Sequence, residues 1–150
     1  MGTTTLEAEH KASGKSYAIK VISRHGGLIE TVDQLYESQL QRLIEPYKKV
    51  GLMSLSECIL DEAFVYFVRP LYNFRSLDSK LYSDNFFRQL TEQELYKGAR
   101  TLCKALNTIH RVGFLHGDVR PQSIFLHGDE SAGKLKMALG NFEHCCPIDK

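Results

Sequence analysis

Apolar and polar residues alternate near the start of the chain and predict a strand. Residues 16–22 are rich in β-branched and aromatic side chains, which favour strands. The alternation places Ala18, Lys20 and Ile22 on one face, so Lys20 is a lone cation on an apolar face. One interpretation is a lysine whose stem is buried while its ammonium reaches water. Residues 1–10 give no clear signal beyond a possible strand end.

Two later stretches carry apolar residues at helical spacing. The first begins at Thr31, which has capping-box spacing with Gln34, and ends before Pro46. The second follows another capping box at residues 91–94 and ends in a basic turn with a glycine at residues 110–113. The predicted apolar faces are Val32, Leu35, Tyr36, Leu40, Leu43 and Ile44, and then Leu95, Ala99, Leu102, Ala105, Leu106 and Ile109.

The remaining pattern predicts strands and a loose connection. Residues 53–60 and 64–68 flank an acidic turn and predict a hairpin that Pro70 ends, because proline has no N–H to donate. Residues 73–90 predict a short helix and a loop. Residues 134–139 predict one more strand. The chain is therefore expected to be α+β.

Composition excludes several classes of function. The chain has 150 residues, 43% of them apolar and 25% charged, with a net charge of +1. This near-balance argues against a nucleic-acid partner or a membrane surface, and no apolar run approaches the roughly 20 residues of a membrane helix. The four cysteines lack metal-ligand spacing. Cys58 and Cys103 lie in apolar patterns and are predicted to be buried.

The chemistry concentrates in residues 115–126, which read Leu-His-Gly-Asp-Val-Arg-Pro-Gln-Ser-Ile-Phe-Leu. A purely structural turn does not need this set of polar groups between apolar flanks. We therefore expect a site here, built from His116, Asp118, Arg120 and Ser123.

This loop resembles the catalytic loop of protein kinases, H-R-D-L-K-P-E-N, and Ala18-Ile19-Lys20 resembles their V-A-I-K strand. The resemblance covers about residues 10–145. It implies a partial kinase domain in which residues 10–70 form a small antiparallel N-lobe sheet with one regulatory helix. Residues 71–150 would be the hinge and the first part of a helical C-lobe. The alternative is a generic α+β domain with an accidental loop.

The resemblance also implies an ATP site. Lys20 takes the place of the lysine that holds the phosphates, and Ala18 takes the place of the alanine over the adenine. Leu71 and Tyr72 fall in the hinge that meets the base.

In the same family a helix glutamate pairs with the strand lysine, and Glu37 fits that role best by position. Glu30 and Glu45 fit less well, and a solvated Glu37 is the alternative. One register places Arg69 at the gatekeeper position, where a charged group would crowd the nucleotide pocket.

In the catalytic loop the resemblance assigns the catalytic aspartate to Asp118. Arg120 replaces the loop lysine, with a forked rather than a point charge. Ser123 replaces the asparagine that binds Mg²⁺, and a serine hydroxyl is a poorer metal ligand. Gly117 replaces an arginine that reads activation-segment phosphates, so control by phosphorylation is not expected.

The second metal ligand of the family lies in D-F-G. With Phe142 as the anchor, Asn141 takes the place of the aspartate and Glu143 that of the glycine. Asn141 keeps an oxygen but loses the charge that a hard cation prefers. A register shifted by two would place Leu139 there instead, which would be worse for metal.

These departures predict a degenerate kinase-like domain, a pseudokinase with a binding or regulatory role and weak or altered ATP binding. No G-x-G-x-x-G precedes Ala18, and an activation segment and the large C-lobe helices are absent from the sequence. We therefore expect exposed apolar surface and a protein partner. The stretch Gly-Asn-Phe-Glu-His also resembles divergent rhoptry kinases and pseudokinases of apicomplexan parasites. The alternatives are an unconventional active Ser/Thr kinase and a small-molecule phosphotransferase.

Overall fold

The computed structural model describes residues 3–23, 32–81, 90–129 and 134–148. The predicted cap at Thr31, the alternative Glu30 and the aromatic stretch 82–89 lie outside these residues. The helices are α1 (Val32–Ile44), α2 (Asp78–Leu81) and α3 (Glu92–Arg111). The strands are β1 (Thr3–His10), β2 (Lys15–Ser23), β3 (Glu57–Leu60), β4 (Phe64–Pro70), β5 (Phe114–Leu115), β6 (Ile124–Asp129), β7 (Lys134–Leu139) and β8 (Cys146–Pro147).

Four strands form an antiparallel sheet in the order β1-β2-β4-β3. Strand β1 is the main surprise, because its exposed threonines and charged residues carry little apolar signal. It pairs with β2 along its whole length, from Thr3 opposite Ile22 to His10 opposite Lys15. The sheet therefore includes residues before residue 10, while the proposed division of the chain near residue 70 stays a prediction.

Helix α1 packs against the single turn Phe142–His144 and reaches this sheet through Glu37, which contacts Lys20 on β2 and Arg69 on β4. It ends where predicted, at Ile44, and continues as a 3-10 helix (Glu45–Val50) that contains Pro46. Leu40 and Ile44 are buried, as the apolar stripe predicts. Leu43 is exposed, so its assignment to that stripe was wrong.

Helix α3 begins with the predicted capping box, in which the Thr91 hydroxyl accepts the Glu94 backbone N–H. Its first turns do not bury the predicted face, since Leu95 is exposed. The helix instead approaches β7 at Gly98, where a Cβ atom would lie 2.4 Å from the Met137 sulfur. The close approach of α3 to β7 thus depends on the lack of a side chain at Gly98, and the spacing of apolar residues does not predict it.

The largest core joins α1, α3 and the segment after β7. Its fully or nearly buried members are Leu40, Ile44, Leu52, Met53, Ala105, Ile109, Phe114, Leu139, Phe142 and Cys145. The hairpin of β6 and β7 extends it, with Ile124 opposite Leu139. The α+β prediction, with a small antiparallel sheet and one helix against it, is confirmed.

The prediction that Cys58 and Cys103 are buried was wrong, because both are exposed. Cys58 lies on β3, an edge strand that is exposed throughout. Cys103 lies on the outward side of α3, where the helical period alone did not separate it from the buried face. Among the described helices, none has the length and apolar character needed to span a membrane.

Candidate functional site

The first predicted pair forms between β2 and α1. The Lys20 ammonium lies 3.3 Å from a Glu37 carboxylate oxygen, and the two side chains are only 7% and 2% exposed. Glu37 is thus buried and paired, which excludes the solvated alternative. Glu45 lies at the exposed start of the 3-10 helix. Lys20 is not a snorkelling lysine, since its ammonium also sits 5.7 Å from the centroid of the Phe67 ring.

Arg69 adds a second cation to the same glutamate. It lies on β4 opposite Ala18, is buried, and donates from its guanidinium to the other oxygen of Glu37. A second guanidinium nitrogen lies 3.8 Å from the Met53 sulfur. Its Nε finds no partner among the described residues. Sequence reasoning considered Arg69 only as a group that crowds a pocket, because partners so distant in sequence leave no local signal.

A second carboxylate reaches Lys20 from the far end of the chain. A Glu143 oxygen lies 2.8 Å from the Lys20 ammonium, and the Glu143 side chain is 37% exposed. Glu143 lies on the turn Phe142–His144, whose neighbouring Phe142 and Cys145 are buried. Sequence reasoning placed Glu143 at a glycine position and missed this contact.

The loop residues Asp118, Arg120 and Ser123 lie together. Arg120 Nε is 2.9 Å from an Asp118 carboxylate oxygen. Ser123 is fully buried, and its hydroxyl donates to the same oxygen over 3.5 Å. The loop therefore holds Asp118 from two sides, while Ser123 is directed at Asp118 and has no exposed surface.

His116 ties this loop to the segment after β7. Its Nε2 lies 2.9 Å from the Gly140 carbonyl oxygen, and its Nδ1 lies 3.2 Å from the Asp118 backbone N–H. The second contact requires Nδ1 to accept, so Nε2 carries the proton and donates to Gly140. Burial lowers the pKa of His116 and outweighs the opposing effects of Gly140 and Asp118. The ring also packs edge-on against Phe142, with centroids 5.5 Å apart.

Asn141, the expected metal ligand, has a left-handed backbone with φ of 58°. Asparagine tolerates this region better than most residues. Its side-chain amide donates to the Gln122 carbonyl over 3.0 Å. Within the described residues, no group of three or more His, Cys, Asp or Glu side chains has an arrangement that fits a metal ion. With Ser123 buried and Asn141 neutral, the residues present fit Mg²⁺ poorly.

A cleft of about 380 Å³ lies between the sheet and the second half of the chain. It brings together five predicted residues, because Ala18, Lys20, Leu71, Tyr72 and Asn141 line it. Burial raises the pKa of the Tyr72 hydroxyl. The other residues that line it are Thr5, Glu7, Met53, Arg69, Pro70, Arg75, Ser76, Phe125 and Glu143.

The catalytic-loop candidates are placed differently from Lys20, which lines the cleft. Of the described residues, Asp118, Arg120 and Ser123 are not part of the cleft lining, and neither is Glu37. Glu37 lies behind Lys20, and the loop reaches the cleft through Asn141 and its bond to Gln122. These role assignments remain predictions.

The family model described as "Protein kinase domain" matches residues 2–147. Mouse MAPK/MAK/MRK overlapping kinase is 27% identical over 144 residues, covering 93% of this chain and 31% of that protein. Chicken ribosomal protein S6 kinase 2 alpha is 26% identical over 133 residues, covering 89% of this chain and 16% of that protein. Human hormonally up-regulated neu tumor-associated kinase is 26% identical over 138 residues, covering 90% and 18%. The chain spans a third or less of the length of these relatives. Because the family model matches nearly the whole chain, the chain belongs to the protein kinase domain family.

Proposed function

We propose that this chain is a pseudokinase domain with a binding or regulatory role and with weak or altered ATP binding. The observation that carries the proposal is the state of the two metal-ligand positions. Asn141 is a neutral amide that donates to a backbone carbonyl, and Ser123 is fully buried against Asp118. Protein kinases in general use ATP with Mg²⁺, and both of their metal-ligand positions are altered here.

The two altered positions change the ligands that are available to a metal ion. Phosphoryl transfer depends almost entirely on positioning and on neutralising the charge that spreads over the phosphate oxygens. Mg²⁺ is usually held by one or two carboxylates together with neutral oxygen ligands and water. Asn141 supplies no carboxylate where the family has an aspartate, and the Ser123 hydroxyl is buried and donates to Asp118. The residues present therefore support no metal-dependent step, although Asp118 is retained at the catalytic position.

The cleft itself fits a nucleobase better than it fits a metal-bound phosphate chain. Its volume lies in the range of about 300–1,000 Å³ typical of small-molecule sites. Ala18, Leu71 and Tyr72 offer apolar surface for a flat ring.

A thermal-shift titration with ATP, with and without Mg²⁺, tests the proposal. We expect a small shift that Mg²⁺ does not increase. The matched control is the double variant Asn141→Asp with Ser123→Asn, which restores the family's metal ligands and should gain a Mg²⁺-dependent shift. A large Mg²⁺-dependent shift in the unmodified chain would contradict the proposal.

A second candidate is an unconventional active Ser/Thr kinase. The Lys20–Glu37 contact favours it, because that pair is formed and Asp118 is present. All three relatives are also named as kinases. This candidate predicts phosphate incorporation into a peptide library that Asp118→Asn abolishes.

The proposal of a protein partner is supported by apolar side chains that lie open in this chain. Leu95 and Tyr96 on α3 and Leu115 and Val119 in the loop region are exposed. We propose that further chain or a protein partner covers them. Light scattering across concentrations tests this, since an uncovered surface should drive self-association that Tyr96→Lys reduces.

A further inference from the structure

The Lys20 ammonium contacts two carboxylates that differ sharply in exposure. Glu37 is almost fully buried behind it, whereas Glu143 is more than one third exposed and faces the cleft. The first contact is therefore part of the packed interior. The second can be exchanged for another anion without unpacking the core.

The charges around Lys20 explain why a second anion is bound. Arg69 and Lys20 both contact Glu37, so these three groups together leave one net positive charge. An unbalanced charge at a largely buried site is costly, and an anion within reach is favoured. Glu143 supplies that anion from within the chain.

The backbone holds Glu143 in place for this role. Phe142 is fully buried, and the Cys145 N–H donates to the Phe142 carbonyl over 3.1 Å. Because the residues on either side of the turn are fixed in the core, the Glu143 carboxylate has a high effective concentration at Lys20. It is a tethered ligand rather than one of many mobile surface charges.

We infer that Glu143 is a specificity-determining residue that makes the cleft selective for an uncharged purine nucleoside over a nucleoside triphosphate. This inference rests on the proposed function, in which Lys20 faces the phosphates of a bound nucleotide. A triphosphate has to displace Glu143 from Lys20 and then lies beside a carboxylate of like charge. A nucleoside occupies the apolar part of the cleft near Ala18 and Tyr72 and leaves the Lys20–Glu143 contact intact.

The test compares adenosine with ATP, both without divalent cations, by titration calorimetry. In the unmodified chain adenosine should bind at least as tightly as ATP. Glu143→Gln should strengthen ATP binding by about three- to tenfold. The variant removes the carboxylate that competes with the phosphates for Lys20, so a larger fraction of the protein has Lys20 free to bind them. Adenosine binding should change by less than about twofold. Glu9→Gln is the matched control, since it makes the same change in net charge at an exposed residue of β1 that is not among those lining the cleft.

The possible outcomes distinguish a failure of this inference from a failure of the proposed function. If both ligands bind and Glu143→Gln leaves the ATP-to-adenosine ratio unchanged, the inference is wrong while the proposed function stands. If neither ligand binds to either protein, nucleotide binding is absent and the inference falls with it. Because Glu143 is partly exposed, the variant should fold, and Glu143→Ala provides a second variant that must show the same direction of change.

Discussion

The shared glutamate yields a prediction that depends on which partner is removed. Glu37→Gln takes away the carboxylate that both cations contact. Lys20 keeps Glu143, but Arg69 then has no carboxylate partner among the described residues. Leaving a buried charge unpaired costs about 3–5 kcal/mol. We expect Glu37→Gln to lower the free energy of unfolding by about that amount.

Removing the cation is expected to be milder. Arg69→Met loses a charge-assisted hydrogen bond worth about 1.5–3 kcal/mol. It also removes the unpartnered buried Nε, whose burial costs about 1–3 kcal/mol. The two effects largely cancel, and Glu37 keeps Lys20. We therefore expect a net loss of about 0–2 kcal/mol.

Urea unfolding monitored by circular dichroism measures the free energy of unfolding of both variants. The dependence of that free energy on urea concentration should be the same in each protein. The double variant Glu37→Gln with Arg69→Met should be more stable than Glu37→Gln alone, because no guanidinium is left unpaired. Equal losses for the two single variants, or strictly additive losses in the double variant, would refute the shared-carboxylate argument.

Three further predictions concern the loop and α3. Gly117→Ala should lower the free energy of unfolding more than Gly113→Ala does, as measured by the urea midpoints. Both glycines have positive φ, which costs about 1–3 kcal/mol for alanine. At Gly117 an added Cβ would also lie 2.1 Å from the His144 carbonyl oxygen, whereas at Gly113 it would meet no atom within 4 Å. Folding lowers the pKa of His116, so the unfolded state takes up a proton at a higher pH than the folded state does. The free energy of unfolding should therefore keep its full value above about pH 6.5 and fall as the pH drops from there toward the folded pKa. In His116→Gln this dependence on pH should be weaker. Thr91→Ala removes the helix cap and should lower the free energy of unfolding by about 1 kcal/mol, whereas Thr91→Ser should not.

Local patterns predicted much of the fold. The β-branched run around Ile19, the cap at Thr91 and the proline after α1 are each read from a few neighbouring residues, and all three hold. Strand β1 was missed because an exposed edge strand needs no apolar alternation. The exposure of Leu95 and Cys103 was missed because a helical period gives a face without saying how much of its length is covered.

The contacts of the candidate site also divide into those that the sequence predicted and those that it did not. Lys20 and Glu37 were predicted as partners because the family resemblance fixes their roles, and the structure places them in contact. The contacts of Arg69 with Glu37 and of Glu143 with Lys20 span 32 and 123 residues in sequence, and no spacing rule links them. They follow from the fold, which brings β2, β4, α1 and the turn after β7 to one point.

The most direct test of the central proposal is phosphoryl transfer itself. The unmodified chain and Asp118→Asn are incubated with γ-labelled ATP, Mg²⁺ and a degenerate Ser/Thr peptide library, and label in peptide and in the chain is counted. The proposal predicts equal background incorporation for the two proteins. Incorporation well above background in the unmodified chain, lost in Asp118→Asn, would contradict it and establish an active kinase.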